Sequence, residues 1–307
     1  MDSVEFLHRA PVALIVFNRP EAAAQVCERI LQDGPRRIYV IADGPRKDRA
    51  GELELVEKTR QTVREQFSAW EEVYWVASET NLGCGKRISS GLSEIFSKEE
   101  RLIILEDDCL PERSFFRFCD ELLEYYQDNA LVGSISGSRF TSRCARPEDS
   151  YYFSRYSHIW GWASWRRAWV AYDFGLSRWR DTFNEAHIAR ATGSRRAARK
   201  LGQLLDRVKS GEIDTWDYQL TAAFLEHGQL SIHPMQNLVS NIGFGVGATH
   251  TEDADSQWSK MKTQPIGYPL RHPKTLCADT VADKQSGHLL FPNTSFWGKL
   301  MTRLRSL

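Results

Sequence analysis

Four short apolar runs recur in the first half of the chain, each closed by a polar turn and followed by a helix-length segment. Pro11 to Phe17 ends at Asn18-Arg19-Pro20, and Ile38 to Ala42 ends at Asp43-Gly44-Pro45. Val73 to Ala77 precedes Asn81-Leu82-Gly83-Cys84-Gly85, and Arg101 to Leu105 ends at Glu106-Asp107-Asp108. A run that is apolar at successive positions, not at alternate ones, belongs to a strand covered on both faces. Between the runs, Glu21 to Leu31, Glu52 to Phe67, the stretch from the glycine turn to about Phe96, and Ser114 to Tyr126 read as helices; in the last, Phe115, Phe118, Leu122 and Tyr125 fall at helical spacing. Strands separated by helices predict an α/β fold, a Rossmann-like and mostly parallel sheet with helices on both faces.

The pattern changes after about Gly133. Val132 to Gly137 reads as a short strand of small residues and Thr141 to Ser150 as a polar loop. An aromatic block follows from Tyr151 to Trp179, then a basic helix from about Ala189 to Ser210 and another helix from about Trp216 to His227. Six of the ten tryptophans lie between Trp160 and Trp216, a clustering that calls for a shared core or a ligand. Ser240 to Thr251 is rich in glycine; beyond it the chain is polar, contains proline and lacks clear periodicity until a basic amphipathic end at Phe296 to Leu307. The expected organisation is one domain over residues 1–250, with a first half at about 10–132 and a second half at about 133–250, and an extension over 251–307.

Charge and cysteine content narrow the function classes. Lys and Arg number 40 and Asp and Glu number 40, and this balance argues against a nucleic-acid binder, which carries a basic excess. No apolar run approaches the roughly 20 residues that cross a bilayer. The acidic start does not resemble a secretory signal, and six cysteines without a CxxC pair suit a reducing compartment, so a cytoplasmic location is expected. Arg190, Arg195, Arg196, Arg199, Lys200, Arg207 and Lys209 on the basic helix, and Lys299, Arg303 and Arg305 in the tail, are suited either to a solvated face or to peripheral contact with an anionic membrane.

Three carboxylates in a row at Glu106-Asp107-Asp108 stand where a buried parallel strand ends, and open α/β sheets bind their ligands at that end of the strands. Adjacent carboxylates repel one another, and a hard divalent cation, Mn²⁺ or Mg²⁺, relieves the repulsion; the plainer alternative is a polar turn before the next helix. Asn81-Leu82-Gly83-Cys84-Gly85-Lys86-Arg87 opens a helix, where glycines permit close approach and the helix terminus favours an anion, although an ordinary helix-opening turn has the same composition. Asp214-Thr215-Trp216-Asp217 precedes a helix, with Asp214 placed to cap it and Asp217 left for chemistry.

The order of these motifs resembles the GT-A glycosyltransferases, in particular the N-acetylglucosaminyltransferase I family, in which EDD precedes a helix bearing Phe-Phe (here Phe115-Phe116), and the bacterial family 2 enzymes. The resemblance covers roughly residues 10 to 250. It implies a metal-dependent inverting transfer of a sugar from a nucleoside diphosphate donor, a UDP-sugar above all, to a hydroxyl of a glycan, lipid-linked or protein acceptor, as in bacterial surface polysaccharide synthesis. It further implies that Arg19 and Asp43 lie at the base and ribose, that Asn18 also binds the donor, that Arg87 faces the diphosphate or the donor sugar, and that Glu106 and Asp107 contact donor sugar and ribose. Asp108 then holds the metal, with His250 completing its shell or binding the diphosphate, and Asp217 is the catalytic base with Asp214 second. Trp160 and Trp162, flanking Gly161, become sugar-stacking candidates, although large aromatics also fill cores. The glycines at 243, 245 and 247 suit a lid.

Two alternatives remain. A sugar-nucleotide pyrophosphorylase would carry a glycine-rich loop directly after the first strand, where this chain has Asn18-Arg19-Pro20. A non-catalytic carbohydrate-binding protein would account for the tryptophans but not for Glu106-Asp107-Asp108.

Overall fold

The computed structural model describes residues 10–244 and 261–291. The first half builds β1 (Val12–Val16), α1 (Pro20–Asp33), β2 (Ile38–Ala42), α2 (Glu52–Gln66), β3 (Val73–Ala77), α3 (Cys84–Phe96), β4 (Arg101–Glu106), the short β5 (Cys109–Pro111) and α4 (Ser114–Tyr125). β1 and β2 are buried along their whole length, as their unbroken apolar runs require. α1 opens on Pro20, whose fixed φ suits a first helical turn, and closes on Gly34 in the left-handed region, whose N–H bonds the Ile30 carbonyl at 3.2 Å.

The second half adds β6 (Val132–Ser136), β7 (Tyr151–Ser154), β8 (Trp162–Trp165), α5 (Arg166–Trp169), α6 (Glu185–Thr192), α7 (Arg195–Lys209), α8 (Asp217–Glu226), β9 (Leu230–Pro234), β10 (Val239–Asn241) and α9 (Thr280–Leu290). Eight strands form one sheet in the order β3-β2-β1-β4-β8-β6-β9-β7. β1, β2, β3 and β4 run parallel, as does the β6–β9 pair, while β8 and β7 are antiparallel to their neighbours. The fold is therefore an α/β sheet, mostly parallel and flanked by helices, as its first half predicts.

Side chains alternate across the sheet into two cores. Val12, Leu14, Val16, Val40, Ile103 and Leu105 meet α1, α2 and α4 on one face. Ala13, Ile15, Ile41, Leu102 and Ile104 meet α3, α5 and α8 on the other. A third apolar cluster joins α6, α7 and α8 with Tyr156, Trp179 and Phe291, forming a helical layer beyond the sheet.

Several elements depart from the sequence expectation. The aromatic block contains strands β7 and β8, whose residues are buried at every position and carry no alternation to mark them. The predicted basic helix is two helices: Gly193 takes φ +69°, and Asn184 and Ser194 cap α6 and α7 through their side chains. On α7 the apolar face (Ala197, Ala198, Leu201, Leu205, Val208) is buried, while Arg195, Arg199, Lys200 and Arg207 are exposed. α9 arises in the stretch that reads as aperiodic; Asp279 caps it, and its buried Asp283 accepts from Ser154 Oγ at 2.6 Å and Arg155 Nη1 at 2.9 Å. No helix among the described residues is long and apolar enough to cross a membrane. The basic tail and His250 lie outside the described residues, as do Gly245 and Gly247.

Candidate active site

Strand register assembles the site. Ile15 pairs with Glu106 and Val16 with Ala42, so Phe17–Arg19, Asp43 and Glu106–Asp108 leave the sheet side by side at the carboxyl ends of three adjacent parallel strands. β8 begins at the same end, with Trp162 opposite Ile104, which brings Trp160 and Gly161 close to the carboxylates. Gly161 has φ +60°, and a side chain there would run into Val239, so the turn between Trp160 and Trp162 needs this glycine. β10 pairs with β5 and carries Ile242 across the acidic turn, its N–H on the Asp108 carbonyl at 2.8 Å.

The carboxylates gather around one guanidinium. Arg19 Nη1 lies 2.6 Å from Asp108 Oδ2 and 3.4 Å from Asp107 Oδ1, and the Phe17 N–H donates to Asp107 Oδ2 at 3.1 Å. Asp107 and Asp108 are both buried. Burial, then the charges of Asp108 and Asp107 and last that of Asp217, push the Glu106 carboxyl well above its ordinary range against the pull of Arg19. Burial and Asp108 likewise push Asp107 up. Burial pulls the Arg19 guanidinium down, yet Asp107 and Asp108 outweigh it and the net shift is upward. Arg19 thus pairs with two of the three acids, while burial and mutual repulsion push Glu106 and Asp107 toward their neutral forms, and the turn presents a group of hard oxygen donors. Among the described residues no three metal-ligating side chains converge.

Arg87 is not that guanidinium. It is buried on α3 beside Asp43, its Nε without a partner, and burial, countered by Asp43 and Glu94, lowers its pKa. Arg19, and not Arg87, is the guanidinium in contact with the acidic turn. Asp43 is engaged within the protein. Its two oxygens accept from the N–H groups of Gly44, Leu82 and Gly83 and from Asn81 Nδ2, at 2.9 to 3.1 Å, and thereby hold the turn that starts α3. Asn18 bonds Glu52 Oε1 at 3.4 Å, and Glu52 is gripped by Arg46, which stacks over Phe17.

The glycine turn before α3 is likewise used within the protein. Asp214 accepts from the N–H groups of Cys84 at 2.8 Å and Gly85 at 2.9 Å, so a carboxylate from 130 residues along the chain fills the anion position at this helix terminus. Side chains at Gly83 or Gly85 would strike Asp214, and at Gly85 also the Thr215 carbonyl. Asp214 therefore caps α3, not α8, and it anchors the segment leading to Asp217. Asp217 opens α8, is half-buried and accepts from Thr215 Oγ1. It is near enough to Glu106 to add to the upward shift of that carboxyl.

Asp217 also lines a cavity of about 360 Å³. Phe140, Tyr156, His158 and Trp160, Tyr218 and Thr221 of α8, and leucines of α7 and α9 line it too. The two candidate tryptophans part company here. Trp160 lines the cavity, edge-on to Phe140 at 4.9 Å. Trp162 is 1 % exposed and stacks on Trp216 at 5.5 Å, so its expected sugar contact is corrected to a core role. Trp165, Trp169, Trp179 and Trp216 are buried as well, and the tryptophan cluster is mostly core. Sequence reading missed the roles of Asp214, Glu52, Tyr218 and His158. The backbone groups that Asp214 meets lie about 130 residues away, and only the unexplained glycines at 83 and 85 hinted at a close neighbour.

No family model matches the chain, and no curated protein matches it. Among solved structures, a UDP-glucose pyrophosphorylase complexed with UDP-glucose overlaps at 13 % identity with a TM-score of 0.28, covering 47 % of this chain and 62 % of that one. The inositol-1-phosphate CTP transferase from T. maritima overlaps at 12 % identity with a TM-score of 0.35, covering 72 % of this chain and 84 % of that one. One is a pyrophosphorylase, the other a CTP transferase, and neither is a glycosyltransferase by name; overlaps this loose do not decide between reactions.

Proposed function

We propose that this chain is a nucleotide-dependent transferase, and more finely a glycosyltransferase that moves a sugar from a nucleoside diphosphate, a UDP-sugar above all, to an acceptor hydroxyl with inversion. One observation carries the reading: Asp217 stands between an acidic cluster at the strand ends and an aromatic cavity that holds no other carboxylate among its lining residues. A transfer of this kind needs a charge-handling seat for the leaving group on one side, a base in the middle and room for an acceptor on the other. Asp217 takes the proton of the acceptor hydroxyl at a carboxylate oxygen. Trp160 offers an apolar ring face to a sugar. The hydrogen bond from Thr215 keeps Asp217 oriented, and Asp214 holds that segment in place.

The donor set fits a hard divalent cation, because buried carboxylates in excess over their guanidinium partner favour Mg²⁺ or Mn²⁺. Asp108, with Asp107 beside it, would hold the ion, and remaining ligands would come from the diphosphate. When bound, the ion stabilises charge on the departing nucleotide. Arg19 shares that charge through its contact with Asp108.

Nucleotidyl transfer is the second reading. Only Phe17, Asn18 and Arg19 separate β1 from α1, which leaves no place for a glycine-rich activating loop after the first strand. Calorimetric titration with UDP, with and without Mn²⁺, together with a search for UTP formed from UDP-glucose and pyrophosphate, tests the pair. Mn²⁺-dependent UDP binding without UTP formation is the expected result. UTP production would overturn glycosyl transfer in favour of nucleotidyl transfer, and indifference to both UDP and Mn²⁺ would overturn both.

A further inference from the structure

We infer that the acceptor is an uncharged amphiphile, a hydroxyl-bearing polar group joined to an alkyl or aryl portion, and that the apolar portion lies between α7 and α9 in the cavity beside Asp217; this rests on the glycosyltransferase reading above. The cavity, about 360 Å³, is within the range that encloses most of a small organic molecule. Asp217 lines it together with Thr221 and Ser157, which are bonded to each other at 2.8 Å. Trp160 and Phe140 add ring faces and edges suited to a sugar's C–H groups. Leu201 and Leu204 of α7, Leu289 and Leu290 of α9 and the adjoining Phe291 supply most of its aliphatic lining.

Charge selects among amphiphiles. No Lys or Arg lines the cavity among the described residues, and its one formal charge is the carboxylate of Asp217. A phosphate or carboxylate on the acceptor would enter beside that carboxylate with no cation to offset it, in a partly buried space where the repulsion is poorly screened. The basic face of α7 does not help, since its exposed residues (Arg195, Arg199, Lys200) lie on the side opposite the buried one, and Arg196 is bonded to the Phe291 carbonyl. An acceptor carried on a lipid diphosphate, which those basic residues suggest from sequence, would have to keep its phosphates outside this cavity.

The test uses n-octyl β-glucoside as the neutral probe and n-octyl phosphate as the anionic one, each titrated calorimetrically into the full chain below its micelle-forming concentration, with UDP titrated in parallel. Expected is saturable binding of octyl glucoside and at least roughly ten-fold weaker binding of octyl phosphate. Leu204→Glu and Leu290→Glu, both at positions that are not fully buried, are each expected to weaken octyl glucoside by roughly ten-fold, the loss of one leucine's burial, while leaving UDP affinity unchanged. UDP binding with no octyl glucoside binding, or octyl phosphate binding as tightly, overturns the acceptor class and leaves the transferase reading standing. Unweakened octyl glucoside binding in both leucine variants overturns the placement between α7 and α9. Octyl glucoside binding without any UDP binding overturns the transferase reading, and the acceptor role with it.

Discussion

The turn before α3 and the turn after β4 both gather acids at the same edge of the sheet, and they use them in opposite ways. At α3, Asp43 and Asp214 spend their oxygens on backbone N–H groups, two turns and a helix terminus being held by them. After β4, Asp107 and Asp108 share one guanidinium and a single backbone N–H, and Glu106 behind them is pushed toward its neutral form by burial and its neighbours. A carboxylate saturated with backbone donors is fixed and has little left to offer a ligand. Carboxylates short of donors keep lone pairs free for other partners. The same residue type at the same sheet edge is thus saturated with backbone donors in one turn and not in the other.

The sharpest way to break this division is at Asp217, which has a single side-chain partner. Asp217→Asn is expected to reduce sugar transfer by about a hundred- to ten-thousand-fold, the range of a lost general base, with UDP affinity retained. Radiolabelled sugar transfer beside UDP calorimetry measures both, and near-normal transfer would remove Asp217 from the chemistry. Arg19→Ala comes next. It strips the acidic turn of its counter-ion and should cost about 3 kcal/mol of stability, the scale for breaking a buried ion pair. Mn²⁺ should restore more thermal stability to this variant than to the wild type, because the ion substitutes for the guanidinium. Equal Mn²⁺ responses in a melting experiment would mean that the surplus charge does not attract a cation.

Asp43→Asn attacks the structural side. It should cost about 1–3 kcal/mol, since one of two charged acceptors for the Leu82, Gly83 and Asn81 donors is lost, and urea midpoints read this directly. Mn²⁺-dependent UDP binding at fully folded concentrations of denaturant should stay intact. A variant as stable as the wild type but unable to bind UDP would reverse the assignment and put Asp43 back at the ligand.

The first half of the fold was legible because each strand is an unbroken apolar run and each turn has glycine, proline or acid at its end. β7 and β8 were not, because both are covered on two faces and their Tyr, Trp and Ser residues suit helix, loop and strand alike. The acidic turn was visible for a local reason: three neighbouring carboxylates at a strand end have few structural uses. The glycine turn before Arg87 suggests an anion at a helix start, and the carboxylate that meets this terminus is Asp214, too distant in sequence to be inferred. Trp160 and Trp162 look alike in sequence. They differ only because Trp162 is in β8, paired opposite Ile104, while Trp160 precedes the turn at Gly161.

The smallest effect concerns the cavity lining at His158. His233 is fully buried, with Nε2 2.8 Å from the Tyr156 carbonyl and Nδ1 3.4 Å from that of Ser138, stacked on Tyr152 and edge-on to His158. Burial, only partly countered by the two carbonyls, lowers its pKa to about 4, and His158 is lowered too, by burial and by His233. Both rings are therefore neutral in the folded protein at pH values where the unfolded chain already takes up protons. The contribution of His233 to stability is complete above about pH 6.5 and declines as pH falls toward about 4, by at most about 1.4 kcal/mol per pH unit in that window, and His158 acts in the same direction. Glu106 and Asp107, raised by burial, act with the opposite sign, so a wild-type pH profile mixes the two. His233→Gln separates them. It keeps a side-chain N–H for one carbonyl but cannot titrate, and the fall in urea midpoint between pH 7 and pH 5 should be shallower than in the wild type, whatever the variant's absolute stability. Parallel slopes would show that His233 does not become charged on unfolding in this range, and the acidic turn would then dominate the pH response of the whole molecule.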